Sequence, residues 1–188
     1  MRLGMLGGTF DPVHLGHLRA AESAREALEL DRVLLMPAGA PPHKPSPQAS
    51  RFDRFAMAAL AAAGYPAIVA SSLELEREGP SYTVDTVRAL RGPETRAFLI
   101  VGSDTWPEMA AWREAKALLE EIGLAVVGRP GEAAPAGPDC ALGVRLIEEP
   151  GLPISASDLR RRAAQGRSLR GLVPDAVADY IQKRGLYR

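Results

Sequence analysis

Leu3-Gly4-Met5-Leu6-Gly7-Gly8-Thr9-Phe10-Asp11-Pro12-Val13-His14-Leu15-Gly16-His17 opens the chain as a strand, a glycine loop and the start of a helix. The apolar run at 3–6 ends in two glycines, as a buried strand does. From residue 15 to 30 the apolar positions Leu15, Leu18, Ala21, Ala24 and Leu28 fall at helical spacing. The same alternation continues downstream. Residues 32–36 read as a second buried strand stopped by Pro37, and 38–47, with four prolines and a glycine, as a loop. Residues 51–63 are Ala-rich and helical, ended by Gly64. Further strands are expected at 67–71, 96–101, 124–127 and 144–147. Further helices are expected at 82–90, with Ser81 or Thr83 near the cap, and at 114–121, 156–165 and 174–184. Residues 128–139, rich in Pro, Gly and Ala, read as a mobile surface linker. Continuously apolar strands alternating with helices predict an α/β fold: a doubly wound parallel sheet, Rossmann-like, covered on both faces. In such sheets ligands sit beyond the carboxyl ends of the strands, where strand order reverses.

The 188 residues suit one domain, 1–188, with no internal repeat. Hydrophobic residues make up 46% and charged residues 24%, a globular profile that can bury a core without staples. Lys plus Arg equals Asp plus Glu at 23 each, so no global field draws the chain to nucleic acid or membrane, and any anion site is local. The single cysteine, Cys140, precludes an intrachain disulfide. No apolar run approaches membrane-span length, and the N-terminus is too short for a signal peptide before its glycines, so a cytoplasmic protein is expected. No pattern sets the oligomeric state; an oligomer is compatible with the sequence.

In the first loop, Gly7 and Gly8 let the backbone turn and let a ligand approach its N–H groups. The helix N-terminus behind them attracts phosphate. His14 and His17, three apart, share one face of the first turn, and Gly16 keeps that face open. A Gly-Gly pair after a strand is usually only a turn, and two histidines at this spacing also suit zinc. The only other histidine is His43, however, and no acidic or Cys cluster lies nearby. Neither the dinucleotide fingerprint nor the P-loop pattern is present.

As an ordered string the loop says more. His14-Leu15-Gly16-His17 closely resembles the signature of the nucleotidyltransferase superfamily that carries a His-x-Gly-His motif. Gly7-Gly8-Thr9-Phe10-Asp11-Pro12-Val13-His14 is similar to its nicotinate mononucleotide adenylyltransferase branch. The resemblance runs end to end, down to the closing helix around Asp175-Ala176-Val177-Ala178-Asp179-Tyr180-Ile181, where Val177 and Ile181 are expected to pack inward. Near the C-terminus the family carries Ile-Ser-Ser-Thr-x-Ile-Arg, matched here by Ile154-Ser155-Ala156-Ser157-Asp158-Leu159-Arg160. Ser155 can cap a helix, and Arg160 brings a forked cation one turn in. In isolation this could be an ordinary capped surface helix. Ala156 lacks the family's second hydroxyl and Ser157 replaces its Thr.

The resemblance implies the remaining assignments. The loop backbone of Gly7, Gly8, Thr9 and Phe10, with His14 and His17, would bind the phosphates of ATP, His17 stabilising the transition state. Lys44, in Pro41-Pro42-His43-Lys44-Pro45, would swing over the triphosphate. Lys44, Ser157 and Arg160 would hold the leaving pyrophosphate, with Ile154 and Ser155 also contacting the nucleotide. Gly102 would permit close approach of a nucleotide, and Asp104 would accept from ribose hydroxyls. Tyr82 and Thr83 would hold the pyridine carboxylate at a helix start, and Trp112, preferred over Trp106, would stack on the pyridine ring beside Arg113. Mg2+ is expected on the phosphates, largely water-bound. Other expectations compatible with the two phosphate motifs are phosphopantetheine or nicotinamide mononucleotide as substrate. A non-catalytic nucleotide sensor would have little reason to keep both histidines, Lys44 and Arg160.

Overall fold

The computed structural model describes residues 1–41, 46–128, 136–149 and 152–188. Six strands form a parallel sheet: β1 (Arg2–Gly8), β2 (Arg32–Pro37), β3 (Ile68–Ala70), β4 (Arg96–Gly102), β5 (Ile122–Gly128) and β6 (Val144–Glu148). Their order is β3-β2-β1-β4-β5-β6. The chain therefore winds outward in one direction from β1, returns to β1's other side and winds outward again. The reversal lies between β1 and β4, which pair in register from Arg2 with Arg96 to Met5 with Leu99.

Side-chain alternation explains why the strands read as unbroken apolar runs. Along β4, Phe98 and Ile100 join the core on one face, and Ala97, Leu99 and Val101 the core on the other. The first core is covered by α1 (Leu15–Ala27), α2 (Arg51–Ala62), α6 (Ala156–Ala164) and α7 (Asp175–Arg184), through Leu18, Ala21, Met57, Ala61, Leu159, Val177 and Ile181. The second is covered by α4 (Thr83–Leu90), a 3-10 turn at Pro107–Ala111 and α5 (Ala115–Leu119), through Val84, Val87, Met109 and Leu118. A four-residue helix, α3 (Leu73–Glu76), lies between β3 and α4.

Every strand and every long helix stands within a few residues of its sequence expectation. Two details differ. Tyr82 is the N-cap of α4, and neither Ser81 nor Thr83 caps it through a side chain, because the Ser81 hydroxyl turns to the β2 loop and accepts from Gly39 N at 2.9 Å and Ala40 N at 3.3 Å. β6 is not buried on both faces: it pairs only with β5, and Leu146 is exposed. Of the expected linker at 128–139, residues 129–135 lie outside the described residues. Its far end packs on Trp106, whose Nε1 donates to Pro138 O at 3.0 Å.

Candidate functional site

Two cavities open at the carboxyl ends of β1 and β4, where strand order reverses. One, of about 360 Å³, is lined by β1 and its loop, by α4's first turn (Ser81, Tyr82, Thr83, Thr86), and by Trp112 and Arg113. The other, of about 460 Å³, is lined by His14, Gly16, Arg19, Ser103, Asp104, Glu149 and Ile154 among others. Both lie in the size range of small-molecule sites. They share Leu6, His17, Ile100, Val101 and Gly102, so His17 faces both.

The loop between β1 and α1 is built differently from its sequence expectation. Gly7 and Gly8 do not make the turn: β1 keeps pairing with β2 as far as Gly8 opposite Pro37. The left-handed residue is Phe10, at φ 50°, and its buried ring sits edge-on to His17 with centroids 4.9 Å apart. At Gly7 the position of a side chain opens into free space, so what the residue contributes is room at the first cavity. At Gly102 a Cβ would stand 2.4 Å from Asp104 Oδ1, the end of an exposed side chain that could turn aside.

His14 and His17 stack with centroids 3.6 Å apart. The backbone N–H of His14 donates to His17 Nδ1 at 3.1 Å. With Nδ1 accepting, a neutral His17 carries its proton on Nε2, which is then its donor end. His14 is 8% exposed, and burial lowers its pKa to about 4. At neutral pH it is therefore an uncharged imidazole in this fold. Among the described residues no group of three or more His, Cys, Asp and Glu could hold a metal ion.

Asp11 ties the loop down. Its carboxylate accepts from Gln48 N at 2.8 Å, Ala49 N at 3.1 Å and the Tyr187 hydroxyl at 2.8 Å. Arg160 donates to Asp11 O at 2.7 Å and is 3.8 Å from its carboxylate, so α6 is held against the loop. Arg160 lines neither of the two cavities described, and its side chain is 27% exposed. Ser155 caps α6 by accepting from Asp158 N and lies 3.1 Å from the Ser157 hydroxyl. Of this segment only Ile154 lines a cavity. Lys44 lies outside the described residues. In the first cavity, the Arg113 guanidinium stands 4.5 Å from the Tyr82 ring centroid. Trp106, by contrast, is buried.

Sequence reading missed several residues that build this site. Arg54 is 1% exposed and donates to Thr9 O at 2.7 Å and Gly39 O at 3.3 Å, tying the β1 loop to the β2 loop. Its place on the apolar face of α2, beside Met57, Ala58 and Ala61, was the available signal. Asp11 was in the quoted motif but had no assigned role. Glu74 and Thr86, both buried, line the first cavity, and nothing in their local sequence marks them.

Residues 5–162 match the cytidylyltransferase-like family model. The probable nicotinate-nucleotide adenylyltransferase of Thermus thermophilus is 47% identical over the whole of both chains. That of a Roseiflexus strain is 46% identical, over 99% of this chain and 98% of its own. Among solved structures, the Plasmodium falciparum nicotinic acid mononucleotide adenylyltransferase complexed with NaAD superposes with a TM-score of 0.77 at 18% identity, covering 99% of this chain and 97% of that one, a match of fold. With full-length relatives at this identity, the chain belongs to the nicotinate-nucleotide adenylyltransferase family of cytidylyltransferase-like nucleotidyltransferases.

Proposed function

We propose that this chain, working as one domain, transfers the adenylyl group of ATP to nicotinate mononucleotide, releasing pyrophosphate and forming nicotinate adenine dinucleotide, a step of NAD biosynthesis. The observation that carries this reading is the pair of cavities meeting at His17, at the point where strand order reverses. One cavity has an aromatic and helix-start lining suited to a pyridine ring with a carboxylate. The other, with Asp104 and Ile154, suits a nucleotide.

An ionised phosphate is already a nucleophile, so no side-chain base is required. A phosphate oxygen of the mononucleotide attacks the α-phosphorus of ATP, the bond from that phosphorus to the bridging oxygen breaks, and pyrophosphate leaves with the electron pair. The protein's task is alignment and charge stabilisation. His17, which faces both cavities, would stand where the two phosphates meet, and the uncharged His14 would support it from the second cavity. Gly7, Gly8 and Thr9 line the approach, the buried Phe10 backs it against His17, and Gly102 would let the nucleotide come close. Lys44, Ser155, Ser157 and Arg160 would steady the leaving group. For Arg160 this means exchanging its bond to Asp11 O for a phosphate oxygen. Tyr82 and Thr83 would receive the pyridine carboxylate, with Trp112 and Arg113 against the ring. Mg2+, arriving on the triphosphate, would supply charge neutralisation there. No nucleic-acid or membrane partner is required.

The test is pyrophosphate release with ATP and Mg2+ in parallel reactions containing nicotinate mononucleotide, nicotinamide mononucleotide or phosphopantetheine. Release with the acid in clear excess over the other two is expected. Release with phosphopantetheine alone overturns the assignment.

A further inference from the structure

Beneath the first cavity lies a buried acid that the reaction does not use. Glu74, on α3, is 8% exposed and lines the cavity. Its Oε1 accepts from the Thr86 hydroxyl at 2.8 Å, and Ser81 stands beside it in the cavity lining. Ser81 Oγ in turn accepts from Gly39 N and Ala40 N of the β2 loop. Two sets of hydrogen bonds therefore hold the start of α4: the β2 loop to Ser81, and Glu74 to Thr86. They grip α4 on both sides of Tyr82 and Thr83. Arg77 reinforces them from outside, donating to Thr86 Oγ1 at 3.3 Å and Asp85 O at 3.2 Å. α3 packs closely on the β2 loop, since Glu74 O lies 2.3 Å from where a Cβ on Gly39 would stand.

We infer that Glu74 is a positioning residue that sets the first cavity's preference for an acidic over an amidated pyridine ring, by fixing the first turn of α4 through Thr86. This rests on the proposed reading of the cavity as the pyridine site. A ring carboxylate gains most when N–H donors are held in one arrangement, since both its oxygens accept. An amide offers one acceptor, and its NH2 faces donors unfavourably. A loosened helix start thus penalises the acid and spares the amide. An acid suits the role because a carboxylate strengthens the bond from the Thr86 hydroxyl and is drawn to the Arg77 charge, whereas Gln carries no charge and brings an NH2 in place of an acceptor. Burial raises the Glu74 pKa, while the Thr86 and Ser81 hydroxyls and the Arg77 charge pull it down. The other charged groups lining the cavity are Glu108 and Arg113.

The experiment compares wild type, Glu74→Gln, Thr86→Val and Thr86→Ser in steady-state pyrophosphate release, with both mononucleotides. Glu74→Gln and Thr86→Val should each raise KM for the acid roughly tenfold, leave kcat and the KM for ATP within about twofold, and lower the acid-to-amide ratio of kcat/KM roughly tenfold. Thr86→Ser, which keeps the hydroxyl, should match wild type. A lowered Tm with an unchanged acid-to-amide ratio in either variant overturns the inference, as do parallel losses with both mononucleotides. Wild-type silence with both overturns the functional reading and the inference with it. A normal wild type with unaltered selectivity in the variants overturns the inference alone.

Discussion

Acidifying the protein should destabilise it through His14 by an amount that can be isolated. The folded state holds this imidazole at a pKa of about 4 against an ordinary value of 6.5, because burial disfavours the cation. Between those values the unfolded chain binds a proton that the folded chain refuses. Stability therefore rises with pH across this window and is lost as pH falls below 6.5. Linkage puts the loss at about 1.4 kcal/mol by pH 5.5 and about 2.6 kcal/mol by pH 4.5, with a ceiling of about 3.4 kcal/mol. Carboxylates titrate too, so the measurement is a difference: urea unfolding of wild type and His14→Gln at about pH 7.5, 5.5 and 4.5. Gln stays polar in that position but does not titrate. The two free energies should approach each other by about 2.6 kcal/mol over the range. Curves that stay parallel would refute the neutral, buried His14, and with it the division of labour between the histidines.

Other outcomes follow from the same geometry. His17→Ala should lower kcat by roughly 10²–10³ with little change in ATP binding, and His17→Asn should recover part of the loss if hydrogen bonding rather than charge dominates. Equal turnover in wild type and His17→Ala would sink the mechanism. Gly39→Ala drives a Cβ to 2.3 Å from Glu74 O and should cost about 3 kcal/mol in urea unfolding; a cost below about 1 kcal/mol would mean that α3 shifts freely. The two tryptophans should separate cleanly. Trp106→Phe forfeits the bond to Pro138 O, about 1 kcal/mol of stability, with activity kept. Trp112→Ala should raise the mononucleotide KM roughly tenfold to a hundredfold with stability little changed. The reverse pattern would exchange their roles.

The sheet was legible because each central strand is buried on both faces, and such strands spell continuous apolar runs that only helices can separate. α3 was not legible: four residues with Leu73 and Leu75 two apart show no helical period, and its place is set by contact with the β2 loop. The turn at Pro107–Ala111 is equally too short to repeat. At the site, the first loop announced itself because phosphate binding needs particular residue types in a fixed order within one stretch. Arg54, Glu74 and Thr86 act through pairings between residues far apart in sequence, and each is an ordinary residue where it occurs. The neutrality of His14 was also hidden, since desolvation depends on what folds over a residue rather than on its neighbours in the chain. Gly7 and Gly8 misled in a specific way: they suggest a turn, yet the strand runs on through them and the left-handed position falls at Phe10.

The bond from the Tyr187 hydroxyl to Asp11 spans 176 positions. A ribosome emits Asp11 long before this anchor, so during synthesis β1, β2 and α1 can assemble, with Gln48 and Ala49 donating to the Asp11 carboxylate, before Tyr187 closes on it. An extension fused directly after Arg188 begins one residue from that anchor. Any such fusion is a perturbation of the phosphate loop, however distant the tail seems when the sequence is written on a line.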